Sequence, residues 1–288
     1  MAQDRLLGLK VDVDTRRGME EGVPSLLDTL ARAGCRATFF LSFGPDNSGK
    51  AVWQLFRNPR FLRKMIRTNA PGLYGWRTAL YGTLLPAPPI ASAFPDLCRE
   101  IEARGHEVEL HAWDHRAWQD TLPRRDGAWI REWLDRGIGA YESCLGHSPA
   151  AFGAPGWVLT EEAVSSLGRY PFSYVSCTRA EAPFVHAGTA LTEIPSDLPC
   201  LEETGGEKGV AAIVEALAGG AIHVLPVHAE VEGGPFREAF GRILRAARES
   251  GVAAVPLSRI ASSLRAGPLR ARRFRTALLP GRAFPCAV

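Results

Sequence analysis

Residues 9–18 read LKVDVDTRRG, and the reading of this stretch decides the fold. Side chains alternate across a strand, so Leu9, Val11 and Val13 share one face and Asp12 and Asp14 the other. The apolar side is expected to point inward. The two carboxylates fall near the strand's C-terminal end, where parallel sheets and barrels gather their functional groups. Taken alone, an Asp-x-Asp is equally the mark of a solvated edge or of a cap for the next helix.

Outward from this strand, helix and strand alternate. The segment GVPSLLDTLARAGC (22–35) predicts a helix, with Pro24 in its first turn and Gly34 near its end. Its apolar stripe is Val23, Leu26, Leu27, Leu30 and Ala31. ATFFLSF (37–43) predicts a buried strand. The rhythm breaks over about 45–95, an insertion of mixed basic and apolar character. It resumes with strands at HEVELH (106–111), AAFGAP (150–155), FSYVS (172–176), AIHVLPVH (221–228) and VAAVP (252–256). Helices are predicted near 96–104, 128–144, from Glu161, 208–218 and 236–249, with a short one ending at Leu264. Such alternation implies α/β architecture, with parallel strands joined by helical crossovers. It spans residues 1–264 and leaves a tail, 265–288, expected to be a candidate for disorder.

Composition sets bounds. Apolar residues make up 46% and charged residues 23% of 288, enough for a sizeable core. The opening MAQDRLLGLK lacks a secretory h-region, which points to the cytoplasm. Six cysteines without a CxxC pair fit free thiols in a reducing compartment. The long uncharged window from Thr78 to Pro95 is broken as a membrane span by Pro86, Pro88, Pro89 and Pro95. The net charge of +3 divides unevenly: the tail carries six arginines and no acid, while the rest of the chain is acidic overall. A second basic cluster (Arg57, Arg60, Arg63, Lys64, Arg67) is interleaved with Phe61, Leu62, Met65 and Ile66.

Two further clusters carry chemistry. In ELHAWDHRAW, His111 ends a predicted strand and His115 follows four residues later; a helical turn there would put both imidazoles on one side. Neutral imidazoles suit Zn²⁺ and similar ions. In HVLPVHAEVEG, His228 ends another strand, with Glu230 and Glu232 behind it. Each cluster has an ordinary reading as polar residues in a turn. Together, three polar sets stand at the C-terminal ends of three predicted parallel strands. Two histidines and a carboxylate can hold a divalent ion with positions left open, while one carboxylate remains as a base and one histidine as an acid. That combination suits metal-assisted hydrolysis of an amide.

The order Asp-x-Asp, HxxxH, a Pro-Gly-aromatic loop and a late His resembles the polysaccharide deacetylases (NodB homology, carbohydrate esterase family 4). DVDTRRGMEEGVPSLL, FFLSFGPDNSGK, FLRKMIRTNAPGLYGW, HEVELHAWDHRAW and VHAEVEG are similar to the deformylase branch of that family, over roughly residues 5–264. The resemblance implies a deformed (β/α) barrel and a divalent metal cofactor: zinc, with cobalt, manganese and nickel as other candidates. Carried over by position, it implies Asp12 as general base, His228 as general acid, and Asp14, His111 and His115 as metal ligands. The loop GAPGW (153–157), with Pro155, Gly156 and Trp157, would line the groove and give a backbone N–H to the oxyanion. Glu230 is a further substrate-binding candidate.

Two departures stand out. The Arg that usually opens the GAPGW loop is replaced in the region of Phe152 and Gly153, and the Asp of the later segment by Cys177. Arg16, Arg17 or Arg179 would then tune Asp12 or bind a substrate phosphate.

The resemblance implies as substrate an undecaprenyl-phosphate-linked formamido-arabinose, deformylated in lipid A modification and polymyxin resistance. It also implies a peripheral position on the cytoplasmic face of the inner membrane. The cluster of Arg57, Phe61, Leu62, Arg63, Lys64, Met65, Ile66 and Arg67 would then meet the bilayer, its basic groups near anionic headgroups. The plainer alternative has its apolar groups packed on the barrel. A deacetylase of another N-acyl sugar is the neighbouring reading. A non-catalytic lipid- or nucleic-acid-binding protein is a reading of another class, opposed by the complete Asp and His set. Few aromatics accompany the tail arginines (Phe274 and Phe284), which argues against single-strand nucleic-acid binding.

Overall fold

The fold is taken from a computed structural model that describes residues 5–51, 77–220, 222–264 and 267–288. Strand β1 (Leu6–Val13) lies near the middle of a curled sheet. It pairs in parallel with β8 (Ile222–His228) on one side and β2 (Thr38–Ser42) on the other. Beyond β2 follow β3 (Glu107–Ala112), β4 (Ala151–Gly153) and β5 (Tyr174–Ser176), all parallel. A short hairpin, β6 (Phe184–His186) and β7 (Thr192–Glu193), continues the sheet, and β9 (Ala253–Val255) pairs Leu6–Gly8. The expected deformed barrel is thus an open half-barrel of mostly parallel strands.

Every residue of β1 is buried, because the strand is paired on both edges and covered on both faces. Leu7, Leu9, Val11 and Val13 pack outward against α1 (Val23–Ala33), the helix that follows the strand. α9 (Arg237–Glu249) joins them through Phe240, Ile243 and Leu244. Burial of each such side chain contributes about 1.5–3 kcal/mol. The expected alternation holds: the apolar face is buried against the helix layer, and the polar face lines the hollow of the half-barrel. The lower hollow is filled by Leu6, Phe40, Tyr174 and Val224 with Leu257 and Ile260 of α10 (Leu257–Leu264). Gly8 admits that helix; a Cβ there would sit 2.6 Å from Leu257.

The remaining helices bridge the strands: α2 (Pro95–Ala103), α3 (His115–Thr121), α4 (Gly127–Leu145), α5 (Glu161–Leu167), α6 (Leu201–Thr204), α7 (Gly206–Ala216) and α8 (Ala229–Glu232). Gly34 ends α1 in the left-handed conformation at φ 68°, as its place in the sequence predicts. No described helix is long and apolar enough to cross a membrane.

The tail differs from expectation. Residues 276–277 and 286–287 pair as an antiparallel ribbon, and 271–272 add a strand beside β6. The ribbon is held because Arg179 N–H donates to the Ala287 carbonyl (2.8 Å), while Cys286 and Val288 pack on Trp157.

Candidate active site

Three of the expected site residues meet at one end of the hollow. Asp14 leaves β1 just past its last paired residue. β3 shifts register between the partners of Leu41 and Ser42, a bulge that falls at His111. Bulges of this kind re-aim a side chain. His111 Nδ1 lies 2.8 Å from the Gly153 carbonyl, which acts as acceptor and leaves Nε2 with a free lone pair. Nε2 lies 3.1 Å from Asp14 Oδ1. His115 Nε2 lies 3.4 Å from Asp14 Oδ2. The two histidines do not share a helix face, as the spacing suggested. His111 is on the strand and His115 opens α3, with Asp114 as N-cap accepting from Ala117 N–H (2.9 Å). The other Asp114 oxygen accepts from Asn47 Nδ2 (2.8 Å), so the GPDNSGK loop braces this turn.

Charge and burial suit this corner to a cation. Burial pushes Asp14 up, but His115 and His111 outweigh it and hold the carboxyl well below the usual carboxylate range. Burial, with His111 close by, holds His115 at about 4, so its imidazole is neutral at pH 7. Asp14 Oδ1 and His111 Nε2 are buried without a hydrogen-bond partner. Two imidazole nitrogens and a carboxylate oxygen that converge in this way fit a divalent ion with open positions.

Asp12 stands on the same face of β1, one step deeper. Its partner is Lys10, two residues back on that face, whose ammonium donates to both carboxylate oxygens. Both side chains are buried. Lys10 also lies over the rings of Phe40 (5.0 Å) and Trp157 (5.3 Å). Lys10 was not singled out from the sequence, and none of the expected arginines takes its place. Arg16 points away, its backbone N–H bound to Asp46 (2.8 Å) and its guanidinium over Phe94. Arg17 pairs with Glu21. Arg179 pairs with Glu203 and donates to the Ser196 and Leu198 carbonyls. The replaced tuning positions are filled by core: Phe152 packs against Trp118 and Trp133, and burial holds the Cys177 thiol far up.

His228 lies level with Asp12, as its direct register partner on the adjacent strand. Its Nδ1 is 3.1 Å from Glu202 Oε1, and its N–H donates to Glu232 Oε2 (2.7 Å). Burial pulls the imidazole down, but the Glu202 carboxylate outweighs it and holds His228 well above the usual range. It therefore carries a proton at neutral pH. Glu202, from α6, was not predicted.

The GAPGW loop closes this side. Gly156 (φ 60°) and Trp157 (φ 54°) are both left-handed, a strained state for tryptophan. The indole is clamped by the guanidiniums of Arg179 and Arg282, each 4.8 Å from it. Arg282 donates to the Gly156 carbonyl (2.8 Å), and both arginines pair with Glu203. Trp157 then meets His228 edge-on at 6.1 Å. Glu230 is buried against Gly18, and burial with the nearby Asp14 charge keeps its carboxyl well above the usual range. The basic-apolar cluster from Arg57 to Arg67 lies outside the described residues.

Residues 3–175 match the polysaccharide deacetylase family model, and the chain belongs to that family. It is thereby an amide hydrolase acting on a non-peptide C–N bond. Among curated proteins, it is 34% identical over 257 residues to one from Shewanella sediminis, covering 87% of this chain and 84% of that one. A protein from Wigglesworthia glossinidia brevipalpis is 30% identical, over 82% of this chain and 85% of its own. Both are described as a probable 4-deoxy-4-formamido-L-arabinose-phosphoundecaprenol deformylase, ArnD. A solved structure from Mycobacterium smegmatis, described as a candidate polysaccharide deacetylase, shares the fold at TM-score 0.66 and 20% identity, covering 97% of each chain.

Proposed function

We propose that this protein is a metal-dependent deformylase whose substrate is undecaprenyl-phosphate-linked 4-deoxy-4-formamido-L-arabinose. The observation that carries the reading is the proximity of a candidate three-ligand cation corner, a paired buried carboxylate and a histidine paired with Glu202. The names of the two curated relatives support the choice of substrate and, through it, the setting of lipid A modification and polymyxin resistance.

A divalent ion held by Asp14, His111 and His115 would supply Lewis-acid polarisation of the formamide carbonyl and a more acidic water. Asp12 takes the proton from the attacking water, and Lys10 holds the carboxylate in place during the approach. His228 donates its proton to the sugar nitrogen as the C–N bond breaks, with Glu202 holding the imidazolium. The GAPGW loop, set by Arg282 and Arg179, walls the cleft on the His228 side. The products are formate and the 4-amino-4-deoxy sugar lipid. Pro155, Gly156, Trp157 and Glu230 bound the sugar end of the cleft in this reading. Arg16 and Arg17, at the mouth of β1, are the phosphate candidates. The basic-apolar cluster at 57–67 contacts the inner-membrane surface from the cytoplasmic side.

The test is product analysis on the metal-loaded enzyme, offering the formamido sugar lipid and its acetamido analogue in parallel. The expected result is formate release with at least tenfold preference over acetate. Equal or greater acetate release would replace the deformylase reading with that of a deacetylase.

A further inference from the structure

The acid side of the cleft holds a second set of metal-ligating atoms. Cys200 precedes α6, Glu202 lies on it, and His228 ends β8; all three residues are buried or nearly so. The Cys200 thiol, a Glu202 oxygen and a His228 ring nitrogen lie within 4.8 Å of one another. The contact geometry repeats that of the Asp14 corner. There, Asp14 Oδ1 and His111 Nε2 stand 3.1 Å apart with no hydrogen bond between them. Here, Glu202 Oε1 and His228 Nδ1 also stand 3.1 Å apart, with the Cys200 thiol beside them. A fourth group is close: Glu232 is 1% exposed, one of its oxygens accepts from the His228 N–H, and its other oxygen is buried without a partner.

We propose that Cys200, Glu202 and His228, with Glu232 within reach, form a second cation site that takes a borderline-soft divalent ion such as Zn²⁺. The donor chemistry sets the class. Sulfur, imidazole nitrogen and carboxylate oxygen select zinc-like ions over Mg²⁺ or Ca²⁺, which prefer oxygen alone. Binding releases two protons to solvent, that of the Cys200 thiol and that on His228 Nδ1, and the ion takes the place of the second. Because His228 is then no longer an acid, occupation of this site switches the hydrolase off. The first site has no sulfur and keeps its ion throughout.

The test uses Co²⁺ added to the metal-free full-length protein, because thiolate ligation of Co²⁺ gives an intense near-ultraviolet charge-transfer band. The first equivalent should give no such band, since Asp14, His111 and His115 supply no thiolate. The second should raise it, with two ions bound per chain by equilibrium dialysis. Cys200→Ala should bind one ion and lose the band, and Cys200→Ser repeats the test if the alanine variant folds poorly by circular dichroism. Saturation at one ion per chain without the band would overturn the proposal, as would a band that persists in both variants. In the formate assay, Zn²⁺ beyond one equivalent should lower wild-type turnover at least tenfold and leave that of the Cys200 variants at its starting level. This last readout rests on the deformylase reading. The band and the stoichiometry do not, so the two failures are distinguishable.

Discussion

The two ends of the cleft answer the same problem, polar groups in a buried hollow, in opposite ways. At the Asp14 end, two imidazoles and one carboxylate converge without a lysine or arginine among them, and the charge is left for an incoming ion to balance. At the His228 end, charge is balanced from within: Lys10 on Asp12, Arg179 and Arg282 on Glu203, and His228 on Glu202. The first arrangement is a socket and the second holds a proton in place. The difference teaches that one fold can set a corner short of positive charge beside one paired from within, by withholding or supplying protein cations. Asp12, between the two ends, belongs to the second because Lys10 reaches it.

This contrast can be broken at graded cost. The largest effect is expected at the socket: His111→Ala should lose the metal and reduce turnover below detection, and unchanged metal content on elemental analysis would remove His111 as a ligand. Next is Lys10→Met, which leaves the Asp12 carboxylate buried without its cation. Breaking a buried pair in this way costs about 3–5 kcal/mol, so urea unfolding should shift by that amount with activity lost. A shift below about 1 kcal/mol would mean that Lys10 is not the balancing charge.

A smaller, pH-dependent effect is expected from Glu202→Gln. The His228 proton affinity is raised in the folded state, so its contribution to stability is complete below about pH 6.5 and is lost as pH rises through the elevated value. The variant should lower the basic limb of the kcat profile toward the ordinary histidine range. An unmoved limb would show that Glu202 does not hold the imidazolium. The smallest effect is expected from Arg282→Ala, which frees one face of Trp157 and the Gly156 carbonyl but leaves Glu203 paired with Arg179. A loss of about 2 kcal/mol is expected in stability, with kcat falling more than KM rises. Unaltered kcat would reduce the tail to a structural strap.

Legibility in the sequence follows the same divide. The socket is written in short motifs, because Asp14 follows a strand and His111 and His115 flank one strand-to-helix turn. The alternation of elements was readable because α1, α4 and α9 each bury one apolar stripe against the sheet. The acid end is assembled from distant pieces: Arg282 meets Glu203 across 79 positions and Gly156 across 126. No spacing rule encodes such pairs. The β6–β7 hairpin was missed because its strands are only three and two residues long. It nevertheless delivers Glu193, whose buried carboxylate accepts from Cys177 N–H and Thr178 N–H below the site. Lys10 did carry a signal: a lysine in mid-strand, between two apolar residues of a strand paired on both edges, has nowhere to go but inward. Alternation separates the two faces of β1 without saying that the apolar one meets the helices, which the packing supplies.

The most direct test of this division is the metal content and turnover of Asp12→Asn, measured on one preparation with the formamido sugar lipid. The account predicts wild-type metal stoichiometry with turnover reduced by about 10²–10⁴. Near-normal turnover, or loss of the metal along with activity, would contradict the separation of a metal-holding Asp14 from a proton-taking Asp12.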